Sequence, residues 1–255
     1  MTRPDAAPTA TVHLAVFDTL ADWQPGLAIA HLVGHPHRQR TPGRFRLETV
    51  GASPDAITTT AGVRILPDRT LDELDPAESA LLILPGGDAW VPLYDLRAPA
   101  AAPGTDAPGH ADEQGPNGTG GPDNADRPDL LAAFGRKARA FVDAGVPVAA
   151  IGGATAGLAR VGLLDDRRHT ADTVAFLERS AYGGAAHFQD GVRAVTDGDV
   201  VTATGTAPVE FAREIFARLE VFAPDVLDIW YRLYGMQEAG ALHELMSSAP
   251  PPQPA

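Results

Sequence analysis

Cysteine is absent from the 255 residues. That removes disulfides, thiolate metal sites and a thiol nucleophile together. Lysine is almost absent as well. Lys137, in FGRKARAF, is the single one, and a solvated helix face explains that segment better than Schiff-base chemistry. Positive charge is scarce: 20 Lys and Arg against 33 Asp and Glu leave a net charge of -13. Such a chain has no basic footprint for phosphates, so nucleic acid is excluded as a partner. No apolar run approaches the roughly 18 residues that span a bilayer. Residues 1–10 lack the charged start and apolar stretch of a signal peptide, so no membrane partner and a cytoplasmic location are expected. No Walker loop or G-x-G-x-x-G opens the first helix, which leaves nucleotide binding unsupported. No cofactor is expected.

What is present alternates. TVHLAVF, FRLETV, ALLILPGG and VPVAAI are short apolar runs that read as buried strands. Helical patterns fall between them, the clearest being PDLLAAFGRKARAFVDAG, with Asp129 near its start and Gly145 as its stop. AITTT and VRIL read as a small hairpin, and VRAVTDGDVVTATG as another with Asp-Gly at its turn. TLDELDPAES and DTVAFLERSA read as helical connections, and APVEFAREIFARLEVF and DVLDIWYRLYGM as closing helices. The pattern predicts an α/β fold with a doubly wound, mostly parallel sheet between helices, and a ligand crevice at the carboxyl ends of the strands. Residues 1–10 are expected to be disordered. Residues 11–235 are expected to form one domain interrupted by a Pro-, Gly- and acid-rich disordered insertion over 98–128, followed by a loose tail over 236–255.

The corner between VPVAAI and ATAGLARVGLL is the informative one. A strand turns into a helix through Gly152 and Gly153, where a nucleophile stands in many α/β enzymes. A helix beginning at Gly153 or Ala154 aims unpaired N–H groups into the crevice, where its dipole favours negative charge. LPGGDAW brings Gly86 and Gly87 to a neighbouring strand end. Together these resemble an oxyanion hole, although glycine pairs also serve simply as tight turns. His169 could act as an acid or base near neutral pH, or be a histidine packed beside the crevice. Asp18 could orient a water molecule or His169, or satisfy the backbone of its own turn. Asp88 fits a cap on the turn before Trp90, and Trp90 either walls the pocket or belongs to the core. His31, His35 and His37 include an H-x-H element, but a proline-containing loop without a carboxylate cluster does not make a metal site. No metal is expected. Glu210, Glu214 and Glu220 read as a solvated helix face with Arg213 and Arg218.

VFDTLADWQP, LLILPGGDAW, PVAAIGGATAGLARVGLLDDRRHTAD and ATGTAPVEFAREIF, in this order, resemble the ThiJ/PfpI superfamily, the type 1 glutamine amidotransferase-like proteins. The resemblance runs over about residues 11 to 235, apart from the insertion. It implies a flavodoxin-like sandwich, frequently a homodimer, with a cysteine on a strained nucleophile elbow. That cysteine falls on Gly152, and the family's first-helix carboxylate, in a motif like ADWE, falls on Gln24. Gly153, Ala154, Gly86 and Gly87 match the family's backbone donors, and His169, Asp18 and Trp90 match family-like positions. The resemblance thus implies an intact scaffold without the thiol and its carboxylate neighbour, unable to carry out thiol-dependent amidotransfer, deglycation or proteolysis.

Two functions remain open on this reading. One is a repurposed pocket, lined by Gln24, Gly86, Gly87, Trp90, Gly152, Gly153 and Ala154, that binds a small carbonyl- or carboxylate-bearing molecule. The other is a cofactor-free enzyme for proton transfer, hydration or lyase-type chemistry on a carbonyl compound, with a backbone oxyanion hole, His169 as proton carrier and Asp18 or Gln24 placing substrate or water.

Overall fold

A computed structural model describes residues 9–34, 38–93, 127–179 and 182–248. Strands β1 (Ala10–Ala15), β2 (Phe45–Gly51), β5 (Arg69–Thr70), β6 (Ser79–Leu84), β7 (Val148–Ile151), β8 (Ala194–Asp197) and β9 (Val200–Ala203) form a seven-stranded sheet in the order β5-β2-β1-β6-β7-β9-β8. All neighbours pair in parallel except the β8–β9 hairpin. The strand order reverses between β1 and β6, the switch point at which doubly wound sheets open a crevice. The expected flavodoxin-like sandwich is therefore the observed fold. The small hairpin also forms, from β3 (Ile57–Thr58) and β4 (Arg64–Ile65).

The central strands are buried from both sides, which is why they read as unbroken apolar runs rather than alternating ones. All of VAAI in β7 is buried, and its alanines let neighbouring layers approach closely. Helices α1 (Trp23–Ile29), α5 (Pro208–Arg218) and α6 (Pro224–Tyr234) pack in succession, while α2 (Arg127–Asp143) packs on α3 (Ala154–Arg160). Phe134, Ala138 and Phe141 form the buried stripe of α2, and Phe211, Ala212, Ile215 and Phe216 that of α5. Burial of side chains this large contributes roughly 1.5–3 kcal/mol each.

Several local expectations change. Within TLDELDPAES only a 3-10 turn over Pro76–Glu78 forms, capped by Asp75, whose carboxylate accepts from Ala77 N at 2.9 Å. DTVAFLERSA contributes one helical turn, α4 (Val174–Leu177). The tail is not loose over its whole length: α7 (Ala239–Ser247) is helical and packs against α6. Arg232 holds Glu238 and Glu244, and Arg38 donates to the carbonyls of Ser248 and Met246. The Arg38 bonds join residues more than two hundred positions apart, and the polar composition of the tail does not reveal them. Residues 1–8 and the insertion as far as residue 126 lie outside the described residues, whereas Arg127 and Pro128 begin α2. Among the described residues no helix is long and apolar enough to cross a membrane.

Candidate functional site

The elbow is assembled from the carboxyl ends of β1, β6, β7 and β9. After β1 the chain turns at Thr19, whose φ of 68° is unusual for a residue with a side chain. Four hydrogen bonds hold it there, one of them its own N–H donating to Thr58 O at 2.8 Å. Its carbonyl accepts from Asp88 N (3.3 Å) and Thr60 Oγ1 (2.8 Å), and its hydroxyl accepts from Ala89 N (2.8 Å). The β1 loop is thereby fastened to the PGGD loop after β6. A Cβ on Gly87 would lie 2.3 Å from Thr19 O, so this join requires glycine.

After β7 the backbone turns through Gly152 at φ 59°, the left-handed conformation of a nucleophile elbow, and its N–H donates to Ala203 O at 3.0 Å. Gln24 lies beneath this corner, 6% exposed. Its Oε1 accepts from Gly86 N at 2.6 Å, and its Nε2 donates to Gly205 O at 3.2 Å. A Cβ on Gly152 would lie 2.9 Å from Gln24 Nε2 and 3.1 Å from Gly205 Cα. The space below the elbow is therefore filled by a neutral amide that spans two strand ends.

Gly205, after β9, forms a further wall that the sequence reading did not single out, and Asp172 fixes it by accepting from Gly205 N at 2.6 Å. Both residues stand inside the family-like segments HTAD and ATGTAPVEF, and that position was the only available signal. Not every candidate donor is free, because Gly86 N–H is already taken by Gln24. Among the described residues, Gly87, Gly153 and Ala154 have no acceptor for their N–H groups, and no side chain caps the start of α3. Ala154 is buried, whereas Gly87 and Gly153 are partly exposed. A Cβ on Gly86 would come within 3.1 Å of Gly153 N, which brings these two backbones side by side.

Trp90 is 1% exposed and belongs to the core. Its indole donates to Pro85 O at 3.0 Å, its ring meets Phe17 edge-on at 5.9 Å, and it lies against Gly153 and Gly157. Asp18 is exposed and accepts from Thr58 N at 2.8 Å, which ties the β3–β4 hairpin to the end of β1. His169 is 0% exposed. Its Nδ1 lies 2.6 Å from Arg167 O, which can only accept, so that nitrogen carries the proton. Its Nε2 then accepts from Tyr182 Oη at 2.6 Å. Burial lowers the His169 pKa and pushes the Tyr182 phenol up to about 12, so the imidazole stays neutral and the phenol protonated. With both nitrogens engaged, His169 has no ring atom left for a substrate.

Elsewhere, Lys137 donates to Leu74 O at 2.9 Å. The expected solvated face holds only for Glu220, which lies past the end of α5 and pairs with Arg40: the Glu210 side chain is 12% exposed and pairs with Arg193, and Glu214 accepts from Thr196 Oγ1 at 2.6 Å. His31 is buried among Phe216, Trp230 and Tyr234, while His35 and His37 lie outside the described residues.

Comparisons with known proteins agree with this geometry. The sequence profile of the DJ-1/PfpI family matches residues 10–99 and 118–218, breaking off inside the expected insertion. A Bacillus subtilis (strain 168) protein named "Uncharacterized protease YoaZ" is 34% identical over 242 residues, covering 94% of this chain and 98% of that protein. The crystal structure of a thiJ/pfpI family protein from Bacillus anthracis is 32% identical, with a TM-score of 0.74, and covers 95% of this chain and 99% of that one. A DJ-1 superfamily protein from Agrobacterium tumefaciens is 27% identical, with a TM-score of 0.67 and coverage of 90% and 100%. The chain belongs to the DJ-1/PfpI family and carries no cysteine for its elbow.

Proposed function

We propose that this protein is a small-molecule receptor built on an enzyme scaffold, with the elbow binding a carbonyl- or carboxylate-bearing compound. One observation carries the reading. The Gln24 amide fills the nucleophile's space with both ends bonded, while among the described residues the adjacent N–H groups of Gly87 and Gly153 have no acceptor. The N–H protons of an amide are too weakly acidic to relay, and it has no lone pair basic enough to activate water at neutral pH. The partly exposed N–H groups suit an anionic or carbonyl oxygen arriving from solvent.

The word protease in the name of the Bacillus subtilis relative describes that protein, and a thiol mechanism does not pass to a chain without cysteine. The cofactor-free enzyme is less well supported, because its proton carrier would be His169, which is sealed between Arg167 O and Tyr182 Oη. The test is an amide-resolved NMR titration with pyruvate. The expected result is saturable movement of the Gly87 and Gly153 signals, with pyruvate recovered unchanged. In Gln24→Glu, a carboxylate in the floor should weaken binding about tenfold through like-charge repulsion. Pyruvate that leaves both signals in place, or that is consumed, rejects the reading.

A further inference from the structure

We propose that the cavity between α6 and α7 binds an apolar monocarboxylic acid, with its carboxylate on Arg38 and its body against Trp230. The cavity holds about 380 Å³, which places it among small-molecule sites. Phe222, Val226 and Trp230 form one wall, and Leu242, Leu245 and Met246 of α7 form the other. The cavity opens to solvent, with Leu242 and Met246 53% and 68% exposed, so an apolar ligand body would take this surface out of water. Most of these residues lie beyond residue 218, where the family match ends, so the site is an addition to the family core rather than the elbow under another description.

One polar group in the lining, Arg38, sets the chemistry of the occupant. Arg38 bonds only to neutral oxygens, donating to Ser248 O (2.7 Å), Ser248 Oγ and Met246 O (2.8 Å), and no carboxylate pairs with it among the described residues. Its positive charge is uncompensated, and two of its five N–H donors remain. Trp230 supplies apolar surface to the cavity, because its indole N–H is itself buried and does not face the open space. The donor left to set the ligand's polar end is the charged Arg38. The complementary ligand is an acceptor of negative charge carried on an apolar body. His31 closes the inner end with its ring edge-on to Trp230 at 5.5 Å.

The proposal is independent of the elbow and is tested without it. Decanoate, kept below its micellar range, is titrated while tryptophan fluorescence and melting temperature are followed; 1-decanol and decyltrimethylammonium serve as controls. Decanoate should bind saturably and raise the melting temperature, decanol should bind about tenfold more weakly, and the cation should not bind. Val226→Trp, which fills the cavity, should abolish binding. Arg38→Gln should bring decanoate down to the level of decanol. Because that change also loosens α7, Arg38→Lys is measured alongside it and should retain the preference for the carboxylate. Equal binding of decanoate and decanol by the unaltered protein overturns the proposal. So does full binding by Val226→Trp, loss of the preference in Arg38→Lys, or no saturable binding at all. A dimer that Leu242→Glu dissociates, with decanoate excluded, assigns the surface to a second copy and also overturns it.

Discussion

Gln24 occupies the place of a side chain on Gly152: its Nε2 lies 2.9 Å from where a Cβ on that glycine would stand. The two positions are therefore one structural choice. A long amide at 24 can bridge Gly86 N and Gly205 O only because nothing projects from 152, and a side chain at 152 would need the amide to withdraw.

Gln24→Ala removes both bonds and leaves a void under the elbow. The expected loss is about 2–4 kcal/mol, combining unsatisfied backbone groups with a cavity. Urea unfolding measures it, and a loss under about 0.5 kcal/mol would mean that the bridge does not hold the strand ends together.

Gly152→Ala and Gly145→Ala both place a side chain on left-handed backbone, at φ 59° and 75°. Only the first meets neighbours, because nothing lies within 4 Å of a Cβ on Gly145. Each should lose about 1 kcal/mol for its conformation, and Gly152→Ala about 1 kcal/mol more for its contacts. In a Gln24→Ser background that excess should shrink, and a double-mutant cycle reports the coupling.

Gly152→Cys combined with Gln24→Glu introduces the cysteine and carboxylate that the family resemblance implies for these two positions. The unpaired N–H groups at the start of α3 favour a thiolate there. Alkylation by iodoacetamide at pH 7 should be faster than for a free thiol. A rate no faster than that of glutathione would show that Gly152 is not the elbow position.

Burial lowers the pKa of His169 and of His13 below 6.5 in the folded protein. Between those lowered values and 6.5 the unfolded chain holds protons that the folded chain does not. Their contribution to stability is thus complete above pH 6.5 and declines as the pH falls through it. Unfolding free energy should drop from pH 7.5 to pH 5, and His169→Gln should flatten the slope. An unchanged slope would indicate that His169 is protonated in the folded state.

Arg232 donates hydrogen bonds to Glu244 and Glu238, which raise its pKa and fasten α7 to α6. Solvent screens such exposed pairs, so each contributes little to global stability. Arg232→Ala should leave the global melt nearly unchanged while speeding amide exchange over 239–247. Unaltered exchange there would mean that α7 is held by packing alone.

Composition and pattern decided a good deal. Unbroken apolar runs between helical stretches specify a doubly wound sheet, because strands covered on both faces have no polar side. A chain without cysteine has no thiol whatever its shape, and the glycine pairs mark where strand ends meet. The interior of the site was beyond such reading. That Gln24 closes the corner depends on α1 delivering it to Gly86 and Gly205, 62 and 181 positions away. The sealing of His169 depends on Tyr182 arriving from another loop, and the order in α7 on Arg38 reaching across more than two hundred residues. Local pattern sets which face of an element is apolar. Which polar partner each buried group meets is set by contacts distant in sequence, and only the folded chain determines them.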